Sequence, residues 1–332
     1  MRRFKYTLVL FLVTIILFSG CNSSDNKKDN AEKKTKSESI VRSVEKYNYT
    51  KLKEDINEFK KRYEQVKINT IGKSVEDRNL YSLKLGQGSK IIGVIGGVHG
   101  REYITSLVLM KMIENYILRD NIGNYNLSEI LEKATFIFIP MLNPDGIEIA
   151  INGVSSNKSF YVNANEGNND FKRWKANGRG VDLNKQFPAD WEEIESKNGP
   201  HYDSYKGSTP LSEPESKALA LLTRQEKFDA VVCFHNKGNV LFWYYNQQRD
   251  QYQRDYRLAR QISEVSGHRI VEPEESDIKA AGYKDWVVKE FKKPGFTVEF
   301  GKGDSEKPLS GDNLNYYYDQ NKKILPVLAE NI

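Results

Sequence analysis

IIGVIGGVHGREYIT, residues 91–105, decides the reading of this chain. Its first eight residues are aliphatic side chains and glycine, the pattern of a strand covered on both faces. The run stops at His99. Glu102 follows three residues on, just ahead of the helical pattern SLVLMKMIENYIL (106–118). A strand that delivers a histidine, followed by a turn that returns a glutamate beside it, puts two metal-ligating side chains within reach of one ion.

The arrangement recurs further along. DAVVCFH (229–235) is an apolar run ending in His235, and FTVEF (296–300) carries Glu299 near its end. NLYSLKLG (79–86), TFIFIP (135–140) and VLFWYY (240–245) also read as strands. LKEDINEFKKRYEQV (52–66), SEPESKALALLTRQ (212–225, with Ser212 as its cap), QYQRDYRLARQISEV (251–265) and NLNYYYDQNKKILPVL (313–328) read as helices. Residues 151–210, rich in Asn, Gly, Ser and Lys, read as long loops. Strands alternating with helices predict an α/β fold with a mostly parallel sheet. In such sheets ligands bind beyond the carboxyl ends of the strands. His99, Glu102 and His235 make a three-ligand set of the kind a catalytic zinc uses, with one position left for water. Glu299 is then a free carboxylate able to act as general base. An HxxE pair alone arises often by chance, so the joint pattern carries the weight.

Composition narrows the class. The chain has 332 residues, 39% of them hydrophobic, and a formal charge of +5. MRRFKYTLVLFLVTIILFSGC reads as a targeting signal, with a cationic start and an apolar stretch too short to span a bilayer. Removing Arg2, Arg3 and Lys5 with it leaves about +2, most of it in the Lys-rich stretch 22–46. The body is close to neutral and has no basic stripe, which argues against nucleic acid. LFSGC looks like a bacterial lipobox, so residues 1–20 are expected as a lipoprotein signal peptide and Cys21 as the lipidated residue. A plain membrane anchor or an ordinary secretory signal are the alternatives. All three put the body outside the cytoplasm, lipid-anchored to the cell membrane or secreted. Residues 21–46 have the composition of a flexible polar tether, and 47–332 form the expected catalytic domain. With Cys21 lipidated no intramolecular disulfide is possible, and Cys233 reads as a buried free thiol.

HGREYIT, NPDG, GVDLN, SEPES, FHNKG and FTVEFG occur in one order. In this the chain resembles the zinc metallocarboxypeptidases of the carboxypeptidase A superfamily over roughly 47–330. The resemblance implies a single α/β domain with a mixed, mostly parallel eight-stranded sheet flanked by helices. It implies one zinc per chain on His99, Glu102 and His235, with Glu299 as general base. Asp182 matches the carboxylate that orients the first histidine, Asn184 a residue that binds the substrate carboxylate, and Arg101 an arginine near the substrate groove. Glu213 and Glu215 are expected to be structural.

Departures from the family pattern narrow it further. Lys185 replaces the arginine that grips a terminal carboxylate, keeping charge but losing the bidentate fork. The cation that polarises the scissile carbonyl falls at Lys175, with Arg173 close by as the other candidate. The family's capping tyrosine has its place at Asp277, with Tyr283 a few residues on as a candidate substitute. Lys284, just before Asp285–Trp286, stands where the family's specificity pocket is lined. RWKANGRGVDLNKQFPADW (173–191) is similar to bacterial γ-D-glutamyl-meso-diaminopimelate peptidases of this superfamily. The expected function is zinc-dependent hydrolysis of peptidoglycan stem peptides at that bond. A general metallocarboxypeptidase trimming C-terminal residues, and an inactive protein that binds cell-wall peptides, are the alternatives. His201 and His268 carry no motif and read as solvated or capping residues.

Overall fold

Apolar runs without polar alternation belong where both faces of a sheet are covered, and that is where they fall. The computed structural model describes residues 39–275, 281–304 and 306–332. The expected signal peptide, Cys21, the first part of the tether and Asp277 lie outside the described residues. The strands are β1 (Lys67–Lys73), β2 (Asn79–Gly86), β3 (Lys90–Ile95), β4 (Asn121–Ile122), β5 (Tyr125–Asn126), β6 (Ala134–Ile139), β7 (Ala230–His235), β8 (Val240–Phe242), β9 (Arg269–Ile270) and β10 (Gly295–Glu299). β4 and β5 pair with each other, and the rest form one eight-stranded sheet in the order β1-β2-β6-β3-β7-β10-β8-β9. β3 runs parallel to β6 and β7, β7 to β10, and β8 to β9. The β1–β2, β2–β6 and β8–β10 pairs are antiparallel.

The helices are α1 (Tyr49–Arg62), α2 (Tyr103–Leu118), α3 (Leu127–Lys133), α4 (Pro144–Asn152), α5 (Lys158–Ala164), α6 (Pro214–Glu226), α7 (Arg249–Ser266), α8 (Tyr283–Trp286), α9 (Leu314–Asn321) and α10 (Ile324–Asn331). Strand alternation divides the core into two layers. Phe136, Phe138, Val232, Phe234, Phe296 and Val298 pack with side chains of α1, α2, α7, α9 and α10. Ile137, Ile139, Val231 and Cys233 point the other way, onto Phe187, Leu219, Leu222, Tyr283 and Trp286. Cys233 is a buried free thiol, as expected. The α/β architecture and the eight-stranded, mostly parallel sheet match the sequence reading.

Several local readings are corrected. β3 ends at Ile95, not at His99. The chain bends at Gly97, whose φ of 59° suits glycine and whose N–H donates to Thr105 Oγ1. α6 starts at Pro214 with Glu213 at its cap position, and Ser212 Oγ donates instead to Gln186 and Glu213. The last helix is two, α9 and α10. Pro326 has no N–H to return to Lys322, whose carbonyl accepts from Tyr116 Oη at 2.9 Å. The expected loop region contains α5 and the end of α4, and β1 is a strand the pattern did not signal.

The tether's expected end at Lys46 also moves. Val41 is buried, and the segment from Ser39 docks on Glu114 of α2. The fully buried Glu114 carboxylate accepts from Ser39 Oγ at 2.5 Å, Ile40 N at 2.5 Å and Lys111 Nζ at 3.1 Å. A buried carboxylate needs such donors, and donors built around it need the carboxylate. Glu114→Ala should therefore destabilise the body by about 3 kcal/mol, seen as a lower Tm. Limited proteolysis should then trim the variant to near Tyr47 while the native protein stays protected from Ser39. Equal Tm and an equal fragment would show that the segment is not held by this contact.

Candidate active site

β7 and β10 run parallel and side by side, and His235 is the register partner of Glu299 at their carboxyl ends. Alternation places both on the face of the Cys233 layer. β3, the neighbour on the other side of β7, leads through the Gly97 bend into the turn His99–Glu102. Gly100 can only be glycine there, because a Cβ would meet Gly146 O at 2.3 Å. The turn is tied down from outside. Gly100 N donates to Lys175 O and Arg101 N to Trp174 O, at 3.0 and 2.8 Å. The Asn143 amide donates to the carbonyls of Val98, Lys175 and Ala176 at 3.0–3.2 Å. Asn143, fully buried, thus fastens the histidine loop to the loop that carries Lys175. As part of NPDG it signalled only a turn.

His99 Nδ1, a Glu102 carboxylate oxygen and His235 Nδ1 lie within 4.8 Å of one another, all buried. Glu102 Oε1 is 2.8 Å from His99 Nδ1, and Oε2 is 3.0 Å from His235 Nδ1. The two Nδ1 atoms are 3.2 Å apart. One ring N–H facing the other ring's lone pair makes a hydrogen bond at that separation, whereas a cation held between the three groups uses both nitrogens and the carboxylate together. Asp182 Oδ1 stands 3.3 Å from His99 Nε2, which keeps Nδ1 of that ring as the ligating atom. The donor set fits a zinc ion. Burial opposes the charge of Glu102, but the two imidazoles outweigh it and hold its carboxyl well below the usual range. Asp182 is also held well below its usual value: Lys175 and His99 overcome its burial.

Of the two candidate cations, Lys175 is at this centre and Arg173 is not. Lys175 Nζ is 3.6 Å from Asp182 Oδ2. Burial works against its charge, yet Asp182 and Glu102 raise its pKa. The Arg173 guanidinium turns away, stacked 3.9 Å over the Tyr202 ring and bonded to Asn165 and Glu166. Asn184 and Lys185 follow Asp182 in one 3-10 turn, with Asn184 N donating to Asp182 Oδ1 at 3.0 Å. Glu299 is half-buried on the same sheet face as His235, its register partner. Loss of solvent, opposed by His235 and reinforced by Glu102, pushes its carboxyl up to about 7. Arg101 donates from Nη1 to Arg173 O at 3.0 Å. Lys237, two residues after His235, is a half-buried ammonium that sequence reasoning passed over. Its only signal was its place beside a ligand.

Tyr283 does not belong with these groups. It is 2% exposed, packs on Phe187 and Trp286, and shares a hydrogen bond of 2.8 Å with Thr223 Oγ1. One turn of a short helix faces its ring into the core and leaves only its backbone N near Asn184 Oδ1, at 3.4 Å. Lys284 points inward. It is 8% exposed, donates to Tyr244 O at 2.9 Å, pairs with Asp285, and lies against Gly295 at the start of β10. Glu213 and Glu215 are structural, both accepting from Asn177 Nδ2, at 2.8 and 3.2 Å. His201 sits between Glu166 and Asp203. His268, expected to be solvated or a cap, is buried with Nε2 2.8 Å from Asn321 Oδ1.

The zinc carboxypeptidase family profile matches residues 52–332. A Lysinibacillus sphaericus protein named gamma-D-glutamyl-L-diamino acid endopeptidase 1 is 35% identical over 82% of this chain and 69% of its own length. The Bacillus subtilis protein YqgT, uncharacterized, is 30% identical over 78% of this chain and 71% of its own. Among solved structures, thrombin-activatable fibrinolysis inhibitor shares the fold at a TM-score of 0.72 and 20% identity, covering 93% of this chain and 80% of that one. With the ligand set, the sheet and the family match in agreement, the chain belongs to the zinc carboxypeptidase family and is a metallopeptidase.

Proposed function

We propose that this enzyme hydrolyses peptidoglycan stem peptides at the γ-D-glutamyl–diaminopimelate bond. Lys284 carries the reading. Lys284 is buried, pairs with Asp285 and donates to Tyr244 O, and by the family resemblance it stands where the specificity pocket is lined. The far end of diaminopimelate carries an amine and a carboxylate, which suit that pair. The relative named gamma-D-glutamyl-L-diamino acid endopeptidase supports the same substrate class. A lipid on Cys21 and an extracytoplasmic location suit an enzyme that works on the wall.

His99 Nδ1, Glu102 and His235 Nδ1 would hold one zinc ion. Bound there, zinc supplies Lewis acidity and lowers the pKa of water to about 7. Asp182 orients the His99 ring through Nε2. A Glu299 carboxylate oxygen takes a proton from the attacking water and returns it to the leaving amine nitrogen. The Lys175 ammonium faces the carbonyl oxygen as negative charge gathers on it. Asn184 and Lys185 hold the carboxylate next to the leaving amine.

Glu299→Gln should keep one zinc per chain, measured by elemental analysis, while turnover falls about 10³-fold. His235→Ala should lose the metal. A Glu299→Gln variant at native rate, or a His235→Ala variant with full zinc, would remove those roles.

The substrate is tested with L-Ala-γ-D-Glu-meso-diaminopimelate and with ordinary peptides of varied C-terminal residue, with and without chelator. Chelator-sensitive release of L-Ala-D-Glu is the expected product by mass spectrometry. Replacing diaminopimelate by lysine, which lacks the distal carboxylate, should cut kcat/KM about 10- to 100-fold, and Lys284→Met should abolish that preference. Loss of single C-terminal residues from ordinary peptides would instead make this a general metallocarboxypeptidase.

A further inference from the structure

The parallel strands at the centre of the sheet begin on lysine. β3 opens at Lys90, and β6 follows directly on Lys133. Lys227 lies at the turn into β7, and Lys292 and Lys293 at the turn into β10. The register sets these starts level. Lys90 faces Ala134 across β3 and β6, Ile92 faces Ala230, and Val231 faces Gly295. With strands about 4.8 Å apart, the lysines form a row roughly 15 Å long across the amino end of the sheet. Lys90, Lys133, Lys227 and Lys292 are exposed. No contiguous stretch of sequence signals the row, because the sheet assembles it from separate loops.

The acids of this end do not cancel it. Asp229 is held by Lys293 at 3.0 Å and by the N–H of Ile91. Glu330 is 3.8 Å from Lys133, and Glu226 answers Lys84 of β2. Lys90, Arg224, Lys227 and Lys292 have no carboxylate within ion-pair range among the described residues. Beside the row a cavity of about 430 Å³ opens between Phe228, Val287 and Phe291, with Arg224, Lys227 and Lys293 in its lining. Apolar walls under a cationic rim suit an amphiphile with an anionic head.

The chain is also fastened toward this end. α2 leaves the carboxyl end of β3 and runs back along the sheet, and α3 then leads into β6. Glu114, late in α2, holds Ser39 and Ile40. Ser39 is thus fixed toward the lysine end and away from His99 and Glu102. Cys21 stands eighteen residues ahead of Ser39. A polar tether of that length spans roughly 25 Å as a coil. A lipid on Cys21 would hold the lysine end at high local concentration over a bilayer, so a weak patch suffices to dock it.

Resting on the lipid attachment proposed above, we propose that the amino end of the sheet is a membrane-docking face, on which Lys90, Lys227 and Lys292 meet anionic phospholipid head groups and the cavity between Phe228 and Phe291 faces the bilayer surface. The parallel strands then run away from the membrane. The metal centre at their carboxyl ends stands about 20 Å further out, toward the wall.

The test places the full-length chain on vesicles of phosphatidylcholine, alone or with an equal part of phosphatidylglycerol. Backbone hydrogen exchange is read by mass spectrometry. On the anionic vesicles, segments 87–92, 224–229 and 287–294 should exchange at least about 5-fold more slowly, while 97–102 keep their rate. High salt should abolish the difference. Lys90→Gln and Lys227→Gln should each weaken docking about 5-fold, the worth of one lysine at an anionic surface. Lys292→Gln is a further variant should either lower the Tm. Equal exchange on both vesicles, by a chain retained on both, would overturn the docking face and leave the lipid attachment standing. Retention on the anionic vesicles alone, with the same segments protected, would support the face and remove the lipid. Retention on neither would overturn both. Equal protection by soluble polyphosphate would assign the lysines to a free polyanion and overturn the membrane reading.

Discussion

Glu102 is a carboxylate 3% exposed to solvent, and the rest of the centre is arranged around making that tolerable. An isolated charge in such a place costs several kcal/mol. Its compensation comes from two imidazoles that the sequence holds 136 residues apart, one beyond β3 and the other at the end of β7. Those strands must be neighbours and must run the same way. Once they are, β10 on the far side of β7 has one register that sets Glu299 beside His235. The parallel centre of the sheet is therefore a condition for burying Glu102.

Asp182 links two tasks that are usually considered apart. One of its oxygens stands by the ring of His99 and the other by the ammonium of Lys175. The same carboxylate thus sets the aim of a ligand and the position of the cation opposite it. Asn143 performs the matching service for the backbone, since its amide clasps the carbonyls on both loops. A disturbance on either loop reaches the other through these two side chains.

What could be read without coordinates follows from how far each signal travels. Strand ends are local events, and His99, His235 and Glu299 were legible because apolar runs stop at or close to them. The relation between Lys175 and Arg173 was not legible. The two are separated by one residue, and hydrogen bonds from Gly100 and Arg101 decide which side chain faces inward. Tyr283 misled for a similar reason: proximity along the chain to a pocket residue says nothing about which way a helical turn points its ring. Lys237 had no signal of its own type, because a lysine in a loop reads as solvated until the neighbouring acids are counted. Pro326 did carry a signal, and it is the residue that divides the last two helices.

The docking of Ser39 on Glu114 has a mechanical consequence. Glu102 and Glu114 lie twelve residues apart across α2 and the turn before it, about 18 Å at helical rise. The first described residues are therefore fastened to the end of α2 remote from the ligands. A pull on the chain ahead of Ser39 is borne there, in shear between the docked segment and the helix. The turn that carries His99 and Glu102 stays slack under such a load.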